Sequence, residues 1–187
     1  MKVVIYDASF RAGWVGNSWV LGGRLYRALR KVDLVIPVLL WEQVASELQK
    51  LPNYSIKDLQ VWSHGHPGGV SINGESINNR NINPAFWGSI ARKLRGDGRV
   101  WFRTCATFCG YAGHEFAKKL ADTMDRTVVG HTYIIGPFQS GLHVHQPGRE
   151  PNWSPQEGLE VRKDGSTGIR MSGPLQPNTV TCLHTDF

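Results

Sequence analysis

Two side chains in this sequence can do nucleophilic chemistry together. His64 lies in the string Leu59-Gln-Val-Trp-Ser-His-Gly-His-Pro-Gly-Gly, and Cys105 in Val100-Trp-Phe-Arg-Thr-Cys-Ala-Thr-Phe-Cys-Gly. Each follows a short β-branched and aromatic run, so each is expected just past the carboxyl end of a strand. In open α/β sheets the loops at that edge open into a crevice. If the two strands are neighbours, a thiol and an imidazole face one opening. A cysteine nucleophile needs such a partner, to favour thiolate or to protonate a leaving amine. Gly65 lets the backbone approach a substrate closely, and an N–H there can stabilise an oxyanion. The structural alternative is a small buried thiol and a hydrogen-bonding loop histidine.

A zinc-dependent hydrolase is a competing reading. Cys105 and Cys109 are four apart, His114 is near, and His64/His66 and His143/His145 are two His-x-His pairs. Alternate residues of a strand share a face, which is what a ligand pair needs. Against it, structural zinc motifs use a Cys pair twice, and only Cys182 remains. His66 is followed by Pro-Gly-Gly, not by the acid and histidine of a metallo-hydrolase pattern. The expectation is no metal and no cofactor. Serine nucleophile elbows, phosphate loops and dinucleotide fingerprints are absent as well.

The elements that must position these residues alternate. Strands are expected at residues 3–6, 34–39, 59–63, 100–104 and 127–131. Helices are expected at 24–32, 41–51, 84–94 and around 115–124. The first of them would bury Leu25, Ala28, Leu29 and Val32. Residues 70–77 read as a hairpin turned at Asn73-Gly74. Such alternation predicts an α/β fold, a mainly parallel sheet with helices on both faces. From residue 136 Pro and Gly crowd the chain, with a hairpin turned at Asp164-Gly165 and a last strand at 180–183. Residues 1–187 read as one domain: an α/β core at 1–135 and a β-hairpin-rich extension at 136–187, too short for a core of its own.

Composition narrows the class. The 187 residues are 41% apolar and include seven Trp, which excludes a disordered chain. The net charge is +6, but the basic residues scatter over helices, as in Arg24, Arg27 and Lys31 or Arg92, Lys93 and Arg95. That pattern predicts solvated faces and no nucleic-acid partner. No run approaches the ~20 apolar residues that span a bilayer, so no membrane partner is expected. An odd number of cysteines and no signal-peptide core predict reduced thiols in the cytoplasm.

The two strings together resemble the caspase-like cysteine peptidases, the clan of caspases, gingipains, clostripain and legumain. The first is similar to that clan's "hydrophobic strand, Ser-His-Gly" block and the second to its "hydrophobic strand, small residue, Cys" block, with Thr104 standing where Ala or Gly is the pattern. The nearest resemblance is to little-characterised bacterial members, whose Gly, Gly and helical Phe after the cysteine match Gly110, Gly113 and Phe116. The resemblance covers about residues 3–131. It implies a His64–Cys105 dyad, with His64 preferred to His66 because it directly follows the strand and precedes Gly. It further implies an oxyanion hole from the N–H groups of Gly65 and Cys105, and a peptide or protein substrate. A catalytically inactive binding module on the same fold is the alternative. The residue after the first strand often helps form that clan's specificity pocket. That position is Asp7, which would favour Lys or Arg; Arg11 would instead favour an acidic side chain. The segment after the fifth strand, with His131, is expected to return to the same edge and to help shape that pocket, the alternative being a buried strand and a Gly-rich turn. Cys109, His66, His143 and His145 receive no role.

Overall fold

The computed structural model describes residues 1–9 and 14–184. In chain order the elements are β1 (Lys2–Asp7), α1 (Trp14–Ala28), β2 (Leu34–Val38), α2 (Trp41–Gln49), β3 (Ile56–Trp62), β4 (His64–His66), β5 (Gly69–Ile72), β6 (Glu75–Asn78), α3 (Pro84–Ala91), β7 (Leu94–Phe102), α4 (Gly110–Met124) and β8 (Thr127–His131). Short strands follow: β9 (Phe138–Gln139), β10 (Leu142–His145), β11 (Leu159–Val161), β12 (Thr167–Ile169) and β13 (Val180–Thr181). The fold is α/β around a mixed, mostly parallel sheet in the order β10-β8-β7-β3-β1-β2. Neighbours from β2 to β8 pair in parallel, and β10 closes the edge antiparallel to β8.

Alternation within each strand builds the core. Val3 and Ile5 of β1, Leu59 and Val61 of β3, and Val100 and Phe102 of β7 join Trp41, Val44 and Leu48 of α2, Trp87 and Ile90 of α3, and Phe116 and Leu120 of α4 in one cluster. The intervening Val4 and Trp62 instead meet Tyr26 of α1 and Val32. Full burial of such side chains contributes roughly 1.5–3 kcal/mol each. Among the described residues no helix is long and apolar enough to cross a membrane.

Helix α1 corrects the sequence reading. It begins at Trp14 rather than at residue 24 and ends at Ala28. Its buried residues include Gly23 and Tyr26, while Leu25 and Leu29 are 44% and 51% exposed. The glycines that obscured the helix are packing devices. A Cβ at Gly23 would lie 2.9 Å from a Val35 methyl, and one at Gly22 3.1 Å from the Trp62 ring. Beyond the helix, Arg30 adopts φ 53° while Lys31 N–H donates back to the Tyr26 carbonyl.

In residues 136–187, β11 pairs β12 around Gly165. The last strand covers Val180–Thr181 rather than 180–183 and pairs with β9. Strand β10 joins the main sheet with its alternation inverted: His143 and His145 are buried and Val144 is 47% exposed.

Candidate active site

The site is built by register. Strands β3 and β7 are adjacent and parallel, with Val61 opposite Phe102. His64 and Cys105 therefore each stand three residues beyond a paired position, at the same sheet edge. The chain winds from β1 outward to β2, then returns past β1 to β3, so the winding reverses between β1 and β3. In open α/β sheets the crevice lies at such a reversal. His64 opens the short strand β4 that flanks it and stands opposite Ser71 of β5.

Contact between the two loops depends on glycine. A Cβ at Gly65 would fall 2.4 Å from the Cys105 carbonyl oxygen and 2.8 Å from Thr104 Cβ, so no other residue fits beside the cysteine turn. Gly68 N–H donates to Thr107 O at 3.1 Å. Thr104 and Thr107 share a hydroxyl hydrogen bond, and Thr107 Oγ1 donates onward to Gly69 O at 3.3 Å. Thr104 thus uses its hydroxyl inside the turn. On the far side Ala106 and Phe108 N–H groups donate to Tyr133 and His131 carbonyls, both at 2.9 Å. Ala106 itself adopts φ 53°, a conformation that costs a non-glycine residue roughly 1–3 kcal/mol and marks a forced turn directly after the cysteine.

Electrostatics distinguish the cysteines. Burial raises the pKa of the half-buried Cys105 thiol, and a backbone hydrogen bond from Ile135 opposes the rise. Cys109 is wholly buried against the Glu157 carbonyl, and burial followed by the Glu157 charge pushes its thiol up to about 11. Cys182 is exposed. The half-buried His64 ring meets the Trp19 ring edge-on, with centroids 5.2 Å apart at 67°.

The remaining candidates take structural places. His66 reaches across Gly69, whose Cβ would lie 2.3 Å from the imidazole, to Ser76 Oγ at 2.8 Å. Asp7 is 1% exposed, and its carboxylate accepts from Ser9 N–H, the Ser9 hydroxyl and Asn73 N–H. It ties β1 to the β5–β6 turn. Arg11 lies outside the described residues. His131 is fully buried; it accepts from Trp101 Nε1–H at 3.2 Å and donates Nδ1–H to Ser140 O. Burial, then Arg103, lowers its pKa to about 3, so it is neutral.

Around Trp153, His143 stacks at 4.7 Å while His114 and His145 meet its ring edge-on. His143 Nε2 pairs with Glu157 Oε1 at 2.7 Å, and Thr132 Oγ1 donates to the same oxygen. Burial would raise the Glu157 pKa, yet these bonds carry it below the usual carboxylate value. Among the described residues no three His, Cys, Asp or Glu groups converge as metal ligands.

The sequence reading missed Arg103. Two residues before Cys105, its buried guanidinium donates to Gln139, Tyr26 and the carbonyls of Cys182 and His184, and lies 4.4 Å from the Trp101 ring centroid. Burial lowers its pKa, and the Tyr26 hydroxyl opposes the shift. A charged residue continuing the alternation of an apolar strand was the available signal. Trp153 and Glu157 carried none, because they sit in irregular chain.

Residues 39–143, a little over half of the chain, match the model of a domain of unknown function, DUF4347, and this span contains both His64 and Cys105. No curated protein matches the chain.

Proposed function

The chain belongs to the DUF4347 family, and we propose that it is a cysteine-type hydrolase acting on a peptide or amide carbonyl through Cys105 and His64. The observation that carries the reading is the juxtaposition of the two strand-end loops, with Gly65 pressed against the Cys105 carbonyl. The resemblance to caspase-like peptidases adds to it, as does the split of packing between α1 on one sheet face and α2, α3 and α4 on the other.

In this reading Cys105 rests as a thiol, because burial disfavours the thiolate. His64 takes the thiol proton as sulfur attacks the carbonyl carbon, and N–H groups of Gly65 and Cys105 hold the oxyanion. The carbon–nitrogen bond breaks as His64 gives its proton to the leaving amine. Water then cleaves the thioester, with His64 taking the water proton and returning one to Cys105.

The test is labelling with peptidyl acyloxymethyl ketones, read by mass spectrometry, beside hydrolysis of a positional-scanning peptide library. The expected result is an adduct on Cys105 that His64→Ala abolishes, and turnover that Cys105→Ala reduces at least a thousandfold. An adduct confined to the exposed Cys182, with no turnover, would reject the hydrolase and leave a binding module.

A further inference from the structure

At the sheet edge opposite the candidate dyad, side chains far apart in sequence converge. Lys2, Arg30, Lys31, Lys57 and Arg95 line one depression of about 280 Å³ with Met1 and Asp33. They come from the starts of β1, β3 and β7 and from the turn after α1. Five formal positive charges thus meet one carboxylate, whose Oδ2 already accepts Lys2 N–H at 2.6 Å. Arg95 is shared with Asp97 through a two-point contact at 2.9 and 3.3 Å. With Asp33 and Asp97 counted, the five cations leave an excess of three positive charges here. Holding like charges together costs Coulomb energy that a bound anion relieves.

Arg30 strengthens the case. It stands at φ 53°, just past the end of α1, where glycine is the unstrained choice. The backbone strain is borne by an arginine that faces the depression. The depression is shallow and open, and its volume lies just below the roughly 300–1,000 Å³ of ordinary small-molecule pockets. That size suits a compact ligand.

We propose that this depression binds a compact multivalent oxyanion, a phosphate or pyrophosphate group, between Arg30, Lys31 and Lys57. Guanidinium and ammonium donors on several sides of one hollow match the several acceptor oxygens of such a group. The reading does not depend on the dyad, and it is tested on protein carrying Cys105→Ala.

The experiment is titration with sodium pyrophosphate, inorganic phosphate and sodium chloride at physiological ionic strength, followed by amide shifts in two-dimensional NMR. Saturable shifts at Lys31, Asp33 and Lys57 are expected, with pyrophosphate binding at least fivefold more tightly than phosphate and chloride giving none. Lys57→Glu should weaken pyrophosphate at least tenfold. Arg30→Gly removes a cation while relaxing the backbone, so its expected fivefold loss cannot come from misfolding. The proposal is overturned by absent or non-saturating shifts, by either variant binding as the parent does, or by a DNA duplex binding where pyrophosphate does not.

Discussion

Cys105 and Cys109 stand four residues apart on one turn, yet the regions they face differ in kind. Around Cys109 the thiol and the neighbouring acid are engaged by other groups. Its thiol is enclosed, His143 is paired with Glu157, and Trp153 is stacked between His143 and Phe108. Around Cys105 the backbone is clamped by Thr107, Tyr133 and Gly65, while the thiol and His64 stay half-buried at the crevice edge. Nucleophile and imidazole occur in both places. What separates a wall from a candidate site here is burial: the Cys109 thiol is enclosed, and the Cys105 thiol is half-buried.

The largest expected effect removes the buried cation two residues before Cys105. Arg103→Met leaves Gln139, the Tyr26 hydroxyl and two extension carbonyls without their buried donor. Destabilisation of about 3–5 kcal/mol is expected, read by urea unfolding. A loss under 1 kcal/mol would mean the extension is not anchored through Arg103.

Gly65→Ala breaks the crevice edge and spares the wall. Its Cβ must displace the Cys105 carbonyl from 2.4 Å. Overpacking of about 1–3 kcal/mol is expected, with a fall in Cys105 alkylation or turnover and unchanged near-ultraviolet signals from Trp153. Wild-type alkylation of Cys105 in this variant would show that the loop contact does not set the thiol's surroundings.

The wall can be tested by pH. His131, lowered to about 3 by burial and then Arg103, titrates near 6.5 when unfolded. Its contribution to stability is therefore complete above about pH 6.5 and is lost as pH falls toward 3. His131 alone sets a slope approaching 1.4 kcal/mol per pH unit below 6. The groups facing it are Trp101, the Ser140 carbonyl, Arg103 and His143. Lowered pKa values at His114 and His145 act in the same direction. Denaturant midpoints at pH 7, 6 and 5 measure the slope, and His131→Gln should reduce it by one proton. An unaltered slope would remove His131 from the acid response.

How much of this was legible from residues follows the same division. Strand β8 was read to the residue, and β1, β2 and the Asn73-Gly74 hairpin nearly so, because β-branched runs and turn residues act locally. The pairing of the His64 and Cys105 loops was conditional on strand adjacency, which sheet register supplies. Helix α1 was misread because Gly22 and Gly23 look like a break until Trp62 and Val35 are seen against them. Strand β10 hid because imidazoles occupy its buried positions, where the pattern rule expects aliphatics. Asp7 looked available at a strand end, and only the folded Asn73 turn reveals where its carboxylate is spent.

The smallest expected effect separates two glycines that the resemblance treats alike. Gly110 and Gly113 both follow Cys105, but for different reasons. Gly113 has no room: a Cβ there would lie 2.2 Å from the Phe108 carbonyl carbon. Gly110 has open space and needs only its φ of +73°, at the entry to α4. Gly110→Ala should therefore cost only the left-handed penalty, about 1–2 kcal/mol. Gly113→Ala adds overpacking against backbone that cannot move aside, and should exceed it. Urea unfolding of the pair measures both, with Gly96→Ala as a control, since Gly96 has open space and no positive φ. Equal losses at 110 and 113 would mean the turn between Cys105 and α4 yields to accommodate a methyl. The clamped backbone that distinguishes the Cys105 edge would then be softer than its hydrogen bonds to residues 131 and 133 imply.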